Sequence, residues 1–325
     1  MVKGEEISLN PREEGDQCTC PWLWRLARSL IQRIGRRNLP GFIQTILAVA
    51  QQAGRVTLYN KPARSKLMGQ QHINVLSANL WHDWPRYKDL TSRLESFARL
   101  AEDQKADLIL VQEMARTRTI QADSWLSDRL GMAYVYTRAN GAENIGFEEG
   151  LGVFSRYPLQ RLHLRQISRG CNPFVRRLVL GAVVDTPFGE ILAFSVHLGL
   201  LRWHNSAQLL DLHHWIARLA QGRSVLIGGD FNSPDHSRHI RQLSHHWIDV
   251  YQTAHHSGPD ETHALRLPWG NTFLRQRLDY IFVQPGAPAL GIDEVRHLDS
   301  PGGPHSDHRA VLARFLLSPN RGSEV

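Results

Sequence analysis

Asp230 and Asn232 stand two residues apart, just past the short apolar run Val225-Leu226-Ile227-Gly228-Gly229. Side chains two apart on extended backbone share a face, so this carboxylate and carboxamide converge on one ligand atom. One accepts and the other donates, which suits a water nucleophile attacking a phosphoryl group whose developing charge must be stabilised. Alone, Gly-Asp-Phe-Asn-Ser-Pro reads as an ordinary polar turn after a strand. Other stretches change that, because each sets a polar side chain at the end of an apolar run. Asn79 closes Ile73–Ala78, Glu113 closes Asp107–Gln112, and His197 follows Phe194-Ser195-Val196. A Glu closing so apolar a run is costly unless something positive meets it. Asp307 and His308 are adjacent and face opposite sides of extended backbone, so one can reach a metal or water while the other reaches phosphate. A His that must stay oriented and become cationic needs a carboxylate behind it, and Asp279, heading the run Tyr280-Ile281-Phe282-Val283, is the best placed. Arg277 stands beside it; a surface ion pair between the two is the blander alternative.

These side chains need strands that end together. The sequence predicts strands over Ile73–Asn79, Asp107–Glu113, Met132–Thr137, Glu149–Leu159, Val175–Asp185, Glu190–His197, Val225–Asp230, Thr272–Val283 and Ala310–Leu317. Thr186-Pro187-Phe188-Gly189 reads as the turn of a hairpin. Apolar residues at helical spacing predict helices over Pro85–Lys105, Ile120–Leu130 and Asn205–Gln221. The stretches Asn140–Glu149 and Pro234–Asn271 read as surface loops, the second with a His-rich run from His236 to His263.

Residues 1–71 have a different texture. Eleven Lys and Arg against five acids put six of the seven net positive charges there, so the remainder is nearly neutral and offers no uniformly basic groove for long duplexes. An amphipathic helix bearing Arg is predicted over residues 21–37 and a second apolar helix over 42–50, with 51–71 as connector. These helices either pack on each other or on the rest of the chain, or lie on an anionic membrane surface. The division is thus an N-terminal helical extension and linker over 1–71, a catalytic domain over 72–317 and a tail over 318–325. Cys18, Cys20 and Cys171 suggest neither a disulfide framework nor a zinc finger. Without a membrane-spanning run or a standard signal peptide, a cytoplasmic protein, at most peripheral to a membrane, is expected.

Taken jointly, Asn79, Leu110-Val111-Gln112-Glu113, Gly150–Pro158, Ser195-Val196-His197-Leu198, Gly229-Asp230-Phe231-Asn232, Arg277–Phe282 and Ser306-Asp307-His308 resemble, in order, the motifs of the endonuclease/exonuclease/phosphatase superfamily. The resemblance runs from about His72 to Leu317. It implies an α/β fold like that of deoxyribonuclease I: a four-layer α/β/β/α sandwich of two packed, mostly antiparallel sheets with the site at one end. It also implies roles. Glu113 matches the main Mg²⁺ ligand, with Mn²⁺ as a substitute, and Asn79 beside it matches a ligand of metal or phosphate oxygen. Asp230 matches the residue that orients or deprotonates water, and Asn232 the oxyanion donor. His308 backed by Asp279 matches the histidine at the scissile phosphate, Asp307 its neighbour at the metal, and His197 the second phosphate-contacting histidine. Glu149 is matched to the glutamate partner of that second histidine, and Arg277 supports the site.

The reaction so implied is in-line hydrolysis of a phosphoester by metal-assisted water, on a nucleic acid or small phosphodiester. The loop Trp81-His82-Asp83-Trp84 departs from abasic-site endonucleases, and Arg277-Leu278-Asp279-Tyr280 departs from phosphoinositide 5-phosphatases. A sphingomyelinase-like phospholipid headgroup hydrolase using the 21–37 helix at a membrane is the alternative. A binding module that has lost catalysis fits less well, since no position of the constellation carries an inert residue. No obligate protein partner is indicated.

Overall fold

The computed structural model describes residues 4–9, 55–60, 71–142, 146–167, 176–199, 202–254, 260–266 and 272–318. The helices expected over 21–37 and 42–50, and the tail beyond Ser318, lie outside the described residues.

Among the described residues, the first sheet has eight strands and the second six. In spatial order those of the first are β1 (Glu5–Ser8), β2 (Arg55–Tyr59), β5 (Ala133–Ala142), β6 (Phe147–Ser155), β4 (Leu108–Thr117), β3 (His72–Asn79), β16 (Ala310–Ser318) and β15 (Ala289–Leu298). Those of the second are β11 (Ile248–Asp249), β14 (Asp279–Gln284), β10 (Val225–Asp230), β9 (Gly189–His197), β8 (Leu178–Thr186) and β7 (Leu159–Gln166). Pairing is antiparallel except for β3 with β4 and β9 with β10. A small hairpin joins β12 (His263–Arg266) to β13 (Thr272–Gln276).

Alternation along the strands explains the layering. Val75, Leu108, Leu110 and Val153 of the first sheet meet Leu180, Ala182, Ala193, Leu226 and Ile281 of the second in one buried cluster. Their neighbours point outward. Leu76, Ile109, Val111 and Phe154 pack on helix α1 (Leu90–Asp103) and helix α2 (Ala122–Leu130). Val179, Phe194, Val196, Ile227 and Phe282 pack on helix α3 (Arg202–Ala220) and helix α4 (Arg238–Leu243). Strands apolar on both faces are what a sheet covered on both sides requires, and the result is the four-layer α/β/β/α sandwich. Gly228 lies where the two sheets approach closely, since an added Cβ would lie 2.6 Å from Leu110 Cδ1 and 3.1 Å from Ser77 Oγ.

Several boundaries differ from the sequence reading. The 85–89 segment is turns, with the helix starting at Leu90; the run Thr272–Val283 breaks at Arg277 and Leu278 into β13 and β14. The predicted Glu149–Leu159 strand ends at Ser155 and a new strand begins at Leu159. The break at residue 72 does not coincide with the edge of the sheet. β2 pairs with β5 through Val56↔Thr137 to Tyr59↔Tyr134, β1 pairs with β2, and Asn60 exchanges two hydrogen bonds with the Leu159 backbone (2.9 and 3.0 Å). Short strands pairing with a partner some 75 residues downstream leave no local signal.

Candidate active site

Register assembles the site. At the end of the second sheet Asp230 is the cross-strand partner of His197 on one side and Asp279 on the other. Two residues further into each strand the inward positions are Ser195, Gly228 and Ile281, so all three polar side chains share the inner face. In the first sheet Asn79 pairs with Gln112, which holds the two sheets together by donating to Ser195 Oγ (3.0 Å). Strict alternation would turn Glu113 to the outer face. A register shift between Val111 and Met114, with Glu113 at φ 52°, re-aims it inward.

Asn79 then bridges the layers. Its Nδ2 donates to Glu113 Oε1 and to Asp230 Oδ2, both at 3.1 Å, while its Oδ1 accepts Trp81 N–H at 2.9 Å. His197 Nε2 lies 3.9 Å from Glu113 Oε1 and 3.7 Å from Asp230 Oδ2. The Asn232 backbone N–H donates to Asp230 Oδ1 (2.8 Å), and its side-chain amide donates to the Leu198 carbonyl (3.0 Å). His308 Nδ1 is 2.8 Å from Asp279 Oδ2. Ligand atoms of Asp230, Asp279 and His308 all lie within 4.8 Å of one another. Glu113, Asn79, His197, Asp230, Asn232, Asp279 and His308 are therefore gathered at one end of the sandwich.

Two supporting residues make their contacts elsewhere. Glu149 is not bonded to His197; its Oε1 accepts from Asn140 Nδ2, its cross-strand partner, and its Oε2 is buried without a partner. Arg277 does not face the site. It grips Asp249 bidentately (3.0 and 2.8 Å) and lies over the Tyr251 and Tyr280 rings. Asp307 is exposed at the rim, 3.9 Å from His263 Nε2.

Some site residues carry no sequence signal. His263 packs its ring 4.4 Å from that of His308, from a strand of only four residues in a His-rich stretch without periodicity. His82 places Nε2 3.6 Å from Glu113 Oε2. Arg93, buried on α1, donates to the Leu80 and Trp81 carbonyls (2.8 Å each) and to that of His305 (3.3 Å), tying the loop after β3 to the loop before β16.

The electrostatics are those of crowded carboxylates. Burial and the adjacent Asp279 push the Asp230 carboxyl up to about 7, against the pull of His308 and the Asn232 N–H. Burial and the Glu113 charge raise Glu149. Burial opposes charge on His308, yet Asp279, with Asp230 and Asp307, outweighs it and lifts its pKa to about 10. Burial, with Arg177 and His308 nearby, pushes His197 well below its ordinary value. So one histidine is cationic and the other neutral at neutral pH. Asp279 Oδ1 is buried without a partner. Uncompensated carboxylate oxygens of this kind are hard donors, and they fit a divalent cation.

Two sheets in this layering, with an acid/imidazole centre at the strand ends, define an α/β/β/α sandwich of the deoxyribonuclease I-like class. The model of the endonuclease/exonuclease/phosphatase family matches residues 76–308, and the chain belongs to that family. It is 29% identical over 235 residues to the uncharacterized protein YbhP of Escherichia coli strain K12, covering 65% of this chain and 84% of that one. In fold it is similar to TDP2 from D. rerio complexed with single strand DNA product (TM-score 0.62, 16% identity, 76% of this chain and 99% of the other). It is also similar to a mannosyl-6-phosphatase of Bacteroides thetaiotaomicron VPI-5482 (TM-score 0.59, 18% identity, 75% and 100%). Among the described residues no helix is long and apolar enough to cross a membrane.

Proposed function

We propose that the chain is a Mg²⁺-dependent phosphodiesterase of nuclease-like type that hydrolyses its ester with an activated water and no covalent intermediate. The observation that carries this reading is the cross-strand row His197, Asp230 and Asp279 facing Asn79 and Glu113, with His308 held by Asp279. Glu113, with Asn79 beside it and Asp307 at the rim, would hold the cation; Mn²⁺ is the natural substitute. When bound, the cation supplies charge neutralisation for a phosphate oxygen.

The protein's own groups do the rest. Asp230, raised by burial, is a carboxylate basic enough to take a proton from water near neutral pH. Asn232 is fixed by its backbone bond to Asp230 and by its bond to Leu198, and its second amide hydrogen is free to meet a developing oxyanion. His308, kept cationic and oriented by Asp279, presents Nε2 to a non-bridging phosphate oxygen. His197, neutral between Glu113 and Asp230, donates to a second phosphate oxygen.

The fold neighbours include a protein bound to a DNA product and a sugar phosphatase, so fold does not choose the substrate. A phospholipid headgroup diester is a second reading, favoured by exposed Leu265, Phe273 (67%) and Leu274 on the β12–β13 hairpin next to His263. A panel of single-stranded DNA, RNA, sphingomyelin, inositol phosphates and bis-p-nitrophenyl phosphate, assayed with Mg²⁺, tests the proposal. Turnover of at least one diester, lowered ~100-fold or more by Asp230→Asn, is expected; equal rates in parent and variant would remove Asp230 from its role.

A further inference from the structure

His263, Asp307 and His308 offer a second, imidazole-rich donor set, which shares Asp307 with the oxygen-rich one at Glu113. One ligand atom from each lies within 4.8 Å of the others. His263 Nε2 is 3.9 Å from Asp307 Oδ2, and the two imidazole rings are 4.4 Å apart. The backbone fixes the pair, since His263 and His308 form an isolated antiparallel bridge between β12 and the segment before β16. His308 Nδ1 is engaged by Asp279 at 2.8 Å, which leaves Nε2 as its ligand nitrogen in the carboxylate–imidazole arrangement usual behind metal-bound histidines.

We propose that His263, Asp307 and His308 form a site for a borderline-soft divalent transition ion of the zinc class. Two imidazoles and one carboxylate are a donor set that tetrahedral Zn²⁺ takes; Mg²⁺, which demands oxygen octahedra, is a poor fit. Ligand atoms around tetrahedral Zn²⁺ stand about 3.3 Å apart, given bonds near 2.0–2.1 Å, so His263 and Asp307 need close by only about half an ångström. Asp307 is exposed and free to make that move. Binding displaces the proton on His308 Nε2. It also withdraws His308 from phosphate, and that consequence rests on the proposed function.

The test uses the full chain and needs no substrate. Zn²⁺ affinity is measured in excess Mg²⁺ by competition with a chromophoric chelator, and Co²⁺ is added separately to read coordination from its visible spectrum. A competing cluster exists on the opposite helical face, where the rings of His213 and His246 stack at 4.1 Å. His213→Asn is therefore the control, and circular dichroism confirms that each variant is folded. Expected is Zn²⁺ binding with intense tetrahedral Co²⁺ bands, weakened roughly tenfold or more in both His263→Asn and Asp307→Asn and unchanged in His213→Asn. No binding in Mg²⁺, full affinity in His263→Asn, or loss in His213→Asn instead, overturns the site. With a diester that the chain hydrolyses, the Zn²⁺ concentration that halves the Mg²⁺-supported rate should rise by the same factor in His263→Asn. Equal inhibition in parent and variant breaks the link to His308. Absence of turnover on every substrate counts against the functional reading alone, because binding is read without it.

Discussion

Asp230 shows how a single residue serves the site against the fold. Its carboxyl is buried beside Asp279 and pushed up to about 7 from an ordinary 3.8. A carboxyl whose folded pKa lies above its unfolded value binds protons more tightly when folded, so stability falls as pH rises from about 4 to about 7 and levels off above. Asp230→Asn removes that penalty and keeps the shape. The variant should melt higher than the parent in metal-free buffer, by about 2–6 °C at neutral pH, with the difference vanishing near pH 4. Thermal denaturation across that range checks it; a lower melting point at pH 7.5 would mean that Asp230 is held by bonds worth more than its desolvation. Asp279 acts through its neighbour. Asp279→Asn keeps an acceptor near His308 Nδ1 but removes the charge that makes the imidazole cationic. Turnover should fall ~100-fold with KM changed far less, and a loss confined to KM would place His308 in ground-state binding only.

At the scale of elements, the site is a consequence of register. Asn79, His197, Asp230 and Asp279 are legible in the sequence because each ends or begins an apolar strand, and paired strands that end together bring such residues into a row. Glu113 is legible only as a polar end: the kink that turns it inward depends on its own positive φ and on pairing with β6, which no local pattern encodes. His263 is invisible, since its partner lies 45 residues away and a four-residue strand has no period to detect. Arg277 is only two residues from Asp279 in sequence yet serves another element. Strand β14 starts just after it, and its guanidinium turns away to Asp249, which also caps helix α5 (Val250–Thr253) by accepting from Tyr251 and Gln252 N–H. Both partners are nearly wholly buried (2% exposed side chains), so removing one leaves an uncompensated charge. Asp249→Asn should cost about 3–5 kcal/mol in chemical denaturation. Replacing both, as Asp249→Leu with Arg277→Met, should cost clearly less; an equal or larger loss in the double variant would show that the pair is net stabilising.

The whole molecule raises the question of where the catalytic body begins. The sequence changes texture at His72, yet β2 closes the first sheet and Val56 is fully buried between the layers. Tyr59 packs against Tyr134, Arg116 donates to Thr57 Oγ1 (3.1 Å), and Asn60 holds the Leu159 backbone where the chain passes from the first sheet into the second. Losing this strand uncovers one large apolar side chain, worth about 1.5–3 kcal/mol, and removes hydrogen bonds worth about 1 kcal/mol each. β1 adds little by comparison, since its residues are mostly exposed. A chain starting at residue 72 should therefore melt about 10 °C below one starting at residue 55. The chain starting at residue 55 should stay within a few degrees of the full chain. The strand also covers an edge: without it β5 exposes a row of unpaired amides and carbonyls, a template for association. Light scattering on heating should then report aggregation in the 72-start chain first. If instead both truncations melt alike and remain monomeric, residues 55–60 decorate a sheet that is complete without them, and the boundary at 72 is the physical one.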